Sequence, residues 1–334
     1  MGDQSRNAGI DIIKAICIVL VLIWHLQPIS GGMLPYNNYA AFLGREAIRL
    51  FYHNITLLAV PTFILVSLYL FINKASHIEN YWKKRSIRLI QIFLFWVCIQ
   101  FIVYLLLGGK LPLPLNTIIP GGGPELSYVG ASVFYFLFIL ILCTMWTFLF
   151  LKLAEKIKLI LSIVIIALSC LHFALSSLYG LGIDTMAMEN YYIYIPVAYY
   201  LQNYKDKFIQ YRICFFIGFF LSVYAELTFS NIMSAYGRLS IFFGVLSLVS
   251  LFITGRFTTN HPIEFLAKYS LGIFALHKYF QYLSNSLYEI FKHQGGIISI
   301  GPSAERMLQF IVTVALTCIV AYLLGKTKLR IYVS

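Results

Sequence analysis

Charge is what this chain has least of. Asp, Glu, Lys and Arg make up 11% of its 334 residues. A soluble domain of that length could not cover its surface with so few polar groups, so that class is excluded. Acid is scarcer than base: 13 Asp and Glu stand against 25 Lys and Arg, a net charge of +12. The cations are dispersed over short segments, so nucleic-acid binding does not explain them. Cysteine is sparse too. All six (17, 98, 143, 170, 214 and 318) fall inside apolar runs without ligand spacing, so neither disulfides nor a metal site is expected. A signal-peptide cleavage site is also missing. Lys14 interrupts the first apolar run, and Gln27-Pro28-Ile29 lacks the small residues that cleavage needs, so the run from Gly9 to Pro28 reads as a retained span.

What the chain has in abundance is hydrocarbon. It is 60% hydrophobic and 17% aromatic, with a mean hydropathy of +0.81. Crossing an apolar layer about 30 Å thick takes about 20 helical residues at 1.5 Å each. On that ruler about ten spans fit, near residues 10–29, 47–72, 87–107, 128–151, 159–176, 190–204, 211–228, 239–254, 262–284 and 304–325. The sixth is short and interrupted by Pro196. The fold class expected is all-α, a polytopic membrane helical bundle. No repeat is visible and no soluble domain is expected at either end, so residues 1–334 read as one transmembrane domain. The segment 108–127, rich in Gly and Pro, reads as an irregular external loop.

Lys and Arg favour the cytoplasmic side of short loops. One set of segments carries Lys74, Lys83, Lys84, Arg85 and Arg88, then Lys152, Lys156 and Lys158, then Lys205, Lys207 and Arg212. The same side holds Arg256, Lys326, Lys328 and Arg330. The opposite segments carry fewer, chiefly Arg45, Arg49, Lys110, Arg238, Lys278, Lys292 and Arg306. Both termini are therefore expected in the cytoplasm, as an even number of spans permits.

The first span, "GIDIIKAICIVLVLIWHLQP", keeps Asp11, Lys14 and His25. A helix advances about 100° per residue, so Lys14 and His25 differ by about 20° after three turns and lie about 16 Å apart along the axis. Asp11 is three residues before Lys14, close enough to pair on the same face. Ionisable groups facing lipid are costly, so this stripe should face a bundle interior or a water-filled cavity. Lys14 alone can also snorkel to the interface, and a lone histidine can be a packing residue.

These residues resemble the opening of the membrane-bound acyltransferase 3 family, in which Asp-x-x-Arg is followed after ten residues by histidine; Lys14 replaces the Arg. "VPTFILVSLYLF" (60–71) is similar to the family's second-span motif, with Pro61, Phe63 and Ser67 matching and Leu68 at a usual Gly. "KKRSIRLIQIFLFW" (83–96) resembles the basic entry to its third span through Arg85 and Arg88, with Gln91 at a usual Pro. "EFLAKYSLGIFALH" (264–277) resembles a late segment ending in histidine, here His277, with Ala267 at a usual Gly.

The resemblance implies transfer of an acyl group, usually acetyl, from cytoplasmic acyl-CoA to a hydroxyl of a surface or lipid-linked glycan, in a bacterial cytoplasmic (inner) membrane. The expected partners are acetyl-CoA or another acyl-CoA, the glycan and membrane lipid, with no metal and no nucleic acid. A sugar hydroxyl is a weak nucleophile and gains from a base near neutrality, so His25 is the candidate base. An acyl-histidine intermediate is the competing version. Lys14 would contact the donor or set the field, and Asp11 would hold Lys14. Coenzyme A is polyanionic, so Arg85 and Arg88, with Lys83 and Lys84, are the candidate phosphate grips; positive-inside bias accounts equally for the lysines. Weaker pocket or acceptor candidates are His53, Asn54, Ser67 and His277. Glu226 is an isolated acid without an assigned role. The rival class is a transporter or exporter of a polysaccharide or lipid-linked intermediate. It should show paired repeats with broken helices, and the 11–14–25 stripe has no counterpart elsewhere in the chain.

Overall fold

The computed structural model describes residues 7–29, 39–108, 134–179, 187–229, 234–253, 257–293 and 301–334. Among them the regular elements are all helices. The first, α1 (Ala8–Leu26), starts where Asn7 Oδ1 accepts from the Gly9 and Ile10 amides at 3.1 and 3.4 Å. Such a cap satisfies amides that the first turn leaves unpaired. It ends at Gln27, which is left-handed (φ 42°) and donates its N–H to the Ile23 carbonyl; Pro28 then blocks continuation.

Helix α2 (Tyr39–Leu50) runs through a π-helical turn (Phe51–Ile55) and a 3₁₀ turn (Thr56–Leu58) into α3 (Ala59–Ala75). Pro61 lies in the first turn of α3, where its missing N–H costs little. The remaining helices are α4 (Tyr81–Gly108), α5 (Tyr135–Leu151), α6 (Glu155–Tyr179), α7 (Tyr194–Asn203), α8 (Lys205–Gln210), α9 (Arg212–Phe229), α10 (Leu239–Phe252), α11 (His261–His293) and α12 (Pro302–Gly325).

Among the described residues, six helical runs are long and apolar enough to cross a membrane: α1, α2–α3, α4, α6, α9 and α12. The other four expected spans fall on α5, α7, α10 and α11. The first three of these are 17, 10 and 14 residues long, short for an unaided crossing. Helix α11 has 33 residues but is more polar. The expected loop beyond Gly108, with Lys110 and Arg256, lies outside the described residues.

Helix α1 is central and packs on α3, α10 and α11. Helices α6, α9 and α12 instead expose apolar side chains such as Leu168, Phe220 and Ile311, as lipid-facing helices do. After α12 the chain turns back through a 3₁₀ turn (Lys328–Tyr332) onto α4 and α11. Tyr332 stacks on Phe95 at 4.0 Å, and the Trp96 indole donates to the Tyr332 carbonyl at 3.0 Å. Val333 is fully buried, and its carbonyl accepts from the Gly272 amide at 3.1 Å.

The α1–α10 contact depends on a missing side chain. A Cβ at Gly9 would stand 1.7 Å from the Phe252 carbonyl oxygen. Backbone cannot yield as a side chain can, so Gly9→Ala should push the helices apart. The expected cost is about 1–3 kcal/mol, read as a lower thermal unfolding temperature of the detergent-purified protein than for Ala8→Gly.

Candidate active site

The stripe on α1 faces protein at both ends. Asp11 and Lys14 line a cavity of about 550 Å³ bounded by α1, α3, α4, α5, α11 and the C-terminal turn. Among the described residues its walls carry six cations, Lys14, Lys74, Arg85, Arg88, Lys268 and Arg330, against one carboxylate, Asp11. Lys74, Arg88, Lys268 and Arg330 are exposed at the mouth, while Lys14 and Arg85 are half-buried further in. Arg85 and Arg88 are three residues apart on α4, on one face, so both can point inward. Arg85 donates to Ser67 Oγ at 2.6 Å, and Arg88 donates to the Ser334 carbonyl at 3.0 Å. Lys83 and Lys84 are exposed and are not among the residues that line this cavity. Such a cation-rich cleft suits a ligand with several negative charges.

The inner end of the cavity is aromatic. Phe63, Phe136 and Phe274 line it, with Phe136 6.0 Å from Phe63 and 5.4 Å from Phe274 between ring centres. The row continues: Phe274 lies 6.0 Å from His277, and His277 lies 4.9 Å from His25. His277 is fully buried, and its Nδ1 meets the Phe274 carbonyl at 2.6 Å. A carbonyl only accepts, so Nδ1 carries the proton and Nε2 keeps a lone pair. That Nε2 is buried and has no hydrogen-bond partner among the described residues. His25 is half-buried on α1, its ring against His277. Its backbone carbonyl, in the last turn of α1, accepts from the Gln281 side chain at 3.1 Å, and Lys278 donates to the same Gln281 at 3.2 Å. Three polar residues of α11 thus fix the end of α1 that bears His25. Chemically, the arrangement offers an imidazole with a second imidazole beside it, behind an aromatic wall at the end of a cationic cleft.

His53 and Asn54 are elsewhere. The π turn in the second span carries both, and π turns often mark functional positions. His53 is exposed, edge-on to Trp24 at 5.8 Å. Asn54 is buried in a polar cluster with Glu226, Arg238 and Ser240. Glu226 is therefore not isolated. One oxygen accepts from Arg238 at 3.3 Å and from Ser240 Oγ at 2.5 Å, and the other accepts the Ser240 amide at 2.9 Å. The carboxylate caps the start of α10, where the helix dipole favours negative charge. Arg238 also donates to Asn54 Oδ1 at 3.3 Å and to the His53 carbonyl. By sequence Arg238 is a loop cation, and Lys74, Lys268 and Arg330 are not singled out for the cavity. Lys268 stood inside an expected span, which is the one signal that pointed to a buried or pore-facing role.

A family model for acyltransferase 3, described as an acyltransferase domain, matches residues 7–326. No curated protein and no solved structure matches the chain.

The Glu226–Arg238 pair is 5% and 1% exposed, so removing one partner strands a charge away from water. Arg238→Ala should cost about 3–5 kcal/mol, seen as a large drop in unfolding temperature. Joint replacement, Arg238→Met with Glu226→Leu, should recover most of that loss.

Proposed function

The chain belongs to the acyltransferase 3 family over residues 7–326 and is helical and membrane-embedded, and from that premise we propose that it moves an acyl group, usually acetyl, from cytoplasmic acyl-CoA to a hydroxyl of a surface or lipid-linked glycan. The observation that carries the proposal is the row of rings that joins the basic cavity to His25. The cavity belongs on the cytoplasmic side, because Lys74, Arg85, Arg88 and Arg330 lie in the cation-rich segments. Both termini then face the cytoplasm, and the membrane is a bacterial cytoplasmic membrane.

Arg85 and Arg88 grip donor phosphates with fixed guanidinium forks, and Lys14, Lys74, Lys268 and Arg330 add positive field. Asp11 lines the same wall as Lys14 and offsets part of its charge. The two ends of the stripe stand about 16 Å apart along α1, a span suited to a donor with charged phosphates at one end and a thioester on a long flexible arm. The arm passes the apolar rings of Phe63, Phe136 and Phe274, which keep water from the reacting carbonyl.

His25 removes the proton of the acceptor hydroxyl. The hydroxyl oxygen bonds to the thioester carbonyl carbon, the carbon–sulfur bond breaks, and the departing sulfur takes the proton back from the imidazolium. The ester and the free thiol of CoA leave. His277 acts through His25: its proton is committed to the Phe274 carbonyl, so its Nε2 lone pair can orient the His25 ring. It is a positioning residue.

Labelled acetyl-CoA and candidate glycans, supplied to membranes, test this reading. His25→Ala should lower transfer by about 10²–10⁴-fold, the usual worth of a positioned base, while the protein keeps its unfolding temperature. Full transfer by that variant would remove His25 from the chemistry. Joint Arg85→Ala and Arg88→Ala should raise KM for the donor more than tenfold with a smaller change in kcat, since each charged hydrogen bond is worth about 1.5–3 kcal/mol. An unchanged donor dependence would reject the phosphate assignment.

A further inference from the structure

The basic cavity stops short of His25. Asp11 and Lys14 line it, and among the described residues none further along α1 does. Ile18 and Val21 complete the stripe between Lys14 and His25, within about 40° of Lys14 around the helix. Both belong to the packed core, Ile18 with no exposed surface and Val21 with 3%. From Ile18 to His25, roughly 10 Å of this face is therefore buried against protein. The inner end of the cavity is closed by the rings of Phe63, Phe136 and Phe274, drawn from α3, α5 and α11. Phe136 is the middle ring, 6.0 Å from Phe63 and 5.4 Å from Phe274, within the range of aromatic contact. Phe136 and Phe274 are buried, whereas Phe63 is half-buried.

We propose that Phe136 is a specificity-determining residue that limits the length and branching of the acyl group, with Ile18 and Val21 behind it. Resting on the transferase reading, this adds which donors are accepted: those with a short, unbranched acyl group. A thioester has to pass the rings to reach His25, and the space beyond them is filled. Phe63 borders the cavity and can swing into it. Phe136 and Phe274 are enclosed and cannot turn without moving their neighbours, because protein interiors are close-packed. The opening that Phe63 leaves is bounded by two fixed rings, which admit a chain of single methylenes and stop a branched one. Past that point, each carbon beyond the carbonyl must displace side chains of a core already packed. One methylene in an apolar site changes binding by about 10–200-fold, so a few added carbons suffice to reject a donor. The cations take no part in this choice. Arg85 and Arg88 face the phosphate end, which every acyl-CoA shares, so discrimination falls to the apolar end. Shortening Phe136 opens the centre of the row while a ring remains on either side.

The test is binding of CoA ketones in which a methylene replaces the thioester sulfur, so that no acyl group can be transferred. Acetyl, butanoyl and hexanoyl ketones compete with labelled free CoA for the full chain in detergent. The acetyl ketone should compete at least as well as CoA, and the hexanoyl ketone should be weaker by about tenfold or more. Phe136→Ala should bring the hexanoyl ketone close to the acetyl one with a much smaller change for CoA itself, and Phe136→Leu should fall between. Phe93→Leu shortens a buried ring that does not line the cavity. It should lower the unfolding temperature and leave the ranking as it was. A ranking that is flat across lengths in the unaltered chain, or one that survives the Phe136 variants, overturns the proposal. So does an equal shift in Phe93→Leu, because the effect would then be a general loosening of the core. Should Phe136→Ala fail to fold, Phe136→Leu decides. Failure of the transfer reading would show differently, as no glycan labelled from acetyl-CoA with the length ranking of the ketones intact.

Discussion

An ionisable side chain on a membrane-spanning helix is tolerated where it meets protein or water, and this constraint fixes how α1 sits. Turning Asp11, Lys14 and His25 away from lipid sets the rotation of the helix about its axis. The polar stripe then faces the cavity and α11, while Cys17, Ile18 and Val21 are buried in the core. The constraint propagates. Helix α11 must offer polar partners to a helix inside an apolar bundle, and it does so through His277, Lys278 and Gln281. The same side chains leave α11 more polar than the lipid-facing helices, and it is not among the six most apolar runs.

The two ends of α1 solve different electrostatic problems. At one end several cations border open space, an arrangement that suits a polyanion. At the other end a buried charge pair is densely hydrogen-bonded: Glu226 and Arg238 meet each other, Asn54, Ser240 and the His53 backbone. Buried polar networks of that kind hold their members in fixed geometry.

The sequence carried the stripe and the apolar runs, because each depends on periodicity within one helix, and the resemblance to the family set Arg85 and Arg88 before Lys83 and Lys84. The helical period that aligned residues 11, 14 and 25 also placed Arg85 and Arg88 on the cavity face and left the two lysines outside. What stayed illegible depends on chain segments far apart. Arg330 reaches the cavity only because the C-terminal turn docks on α4, through Trp96 and Phe95. Glu226 on α9 finds Arg238 at the start of α10 through a packing of the two helices that spacing does not specify. The ring row draws Phe63, Phe136, Phe274 and two histidines from four helices. In a chain that is 17% aromatic, no single phenylalanine stands out.

The C-terminal turn makes the basic cavity a composite. Arg88 both lines the cavity and donates to Ser334, so one guanidinium faces the cavity and ties the C-terminal turn to α4. A multiply charged phosphate is a stronger partner for a guanidinium than a single main-chain oxygen. On the proposed function, an arriving donor would therefore draw Arg88 away from Ser334 while Arg330, on the same turn, draws the turn toward the donor. The two effects oppose at Ser334 and cooperate at Arg330. Val333 decides which prevails: it is fully buried, and a Cβ at Gly272 would lie 2.8 Å from its own Cβ. The turn is anchored by packing that does not involve the cations at all, so the wall holds its place while its charges change partners.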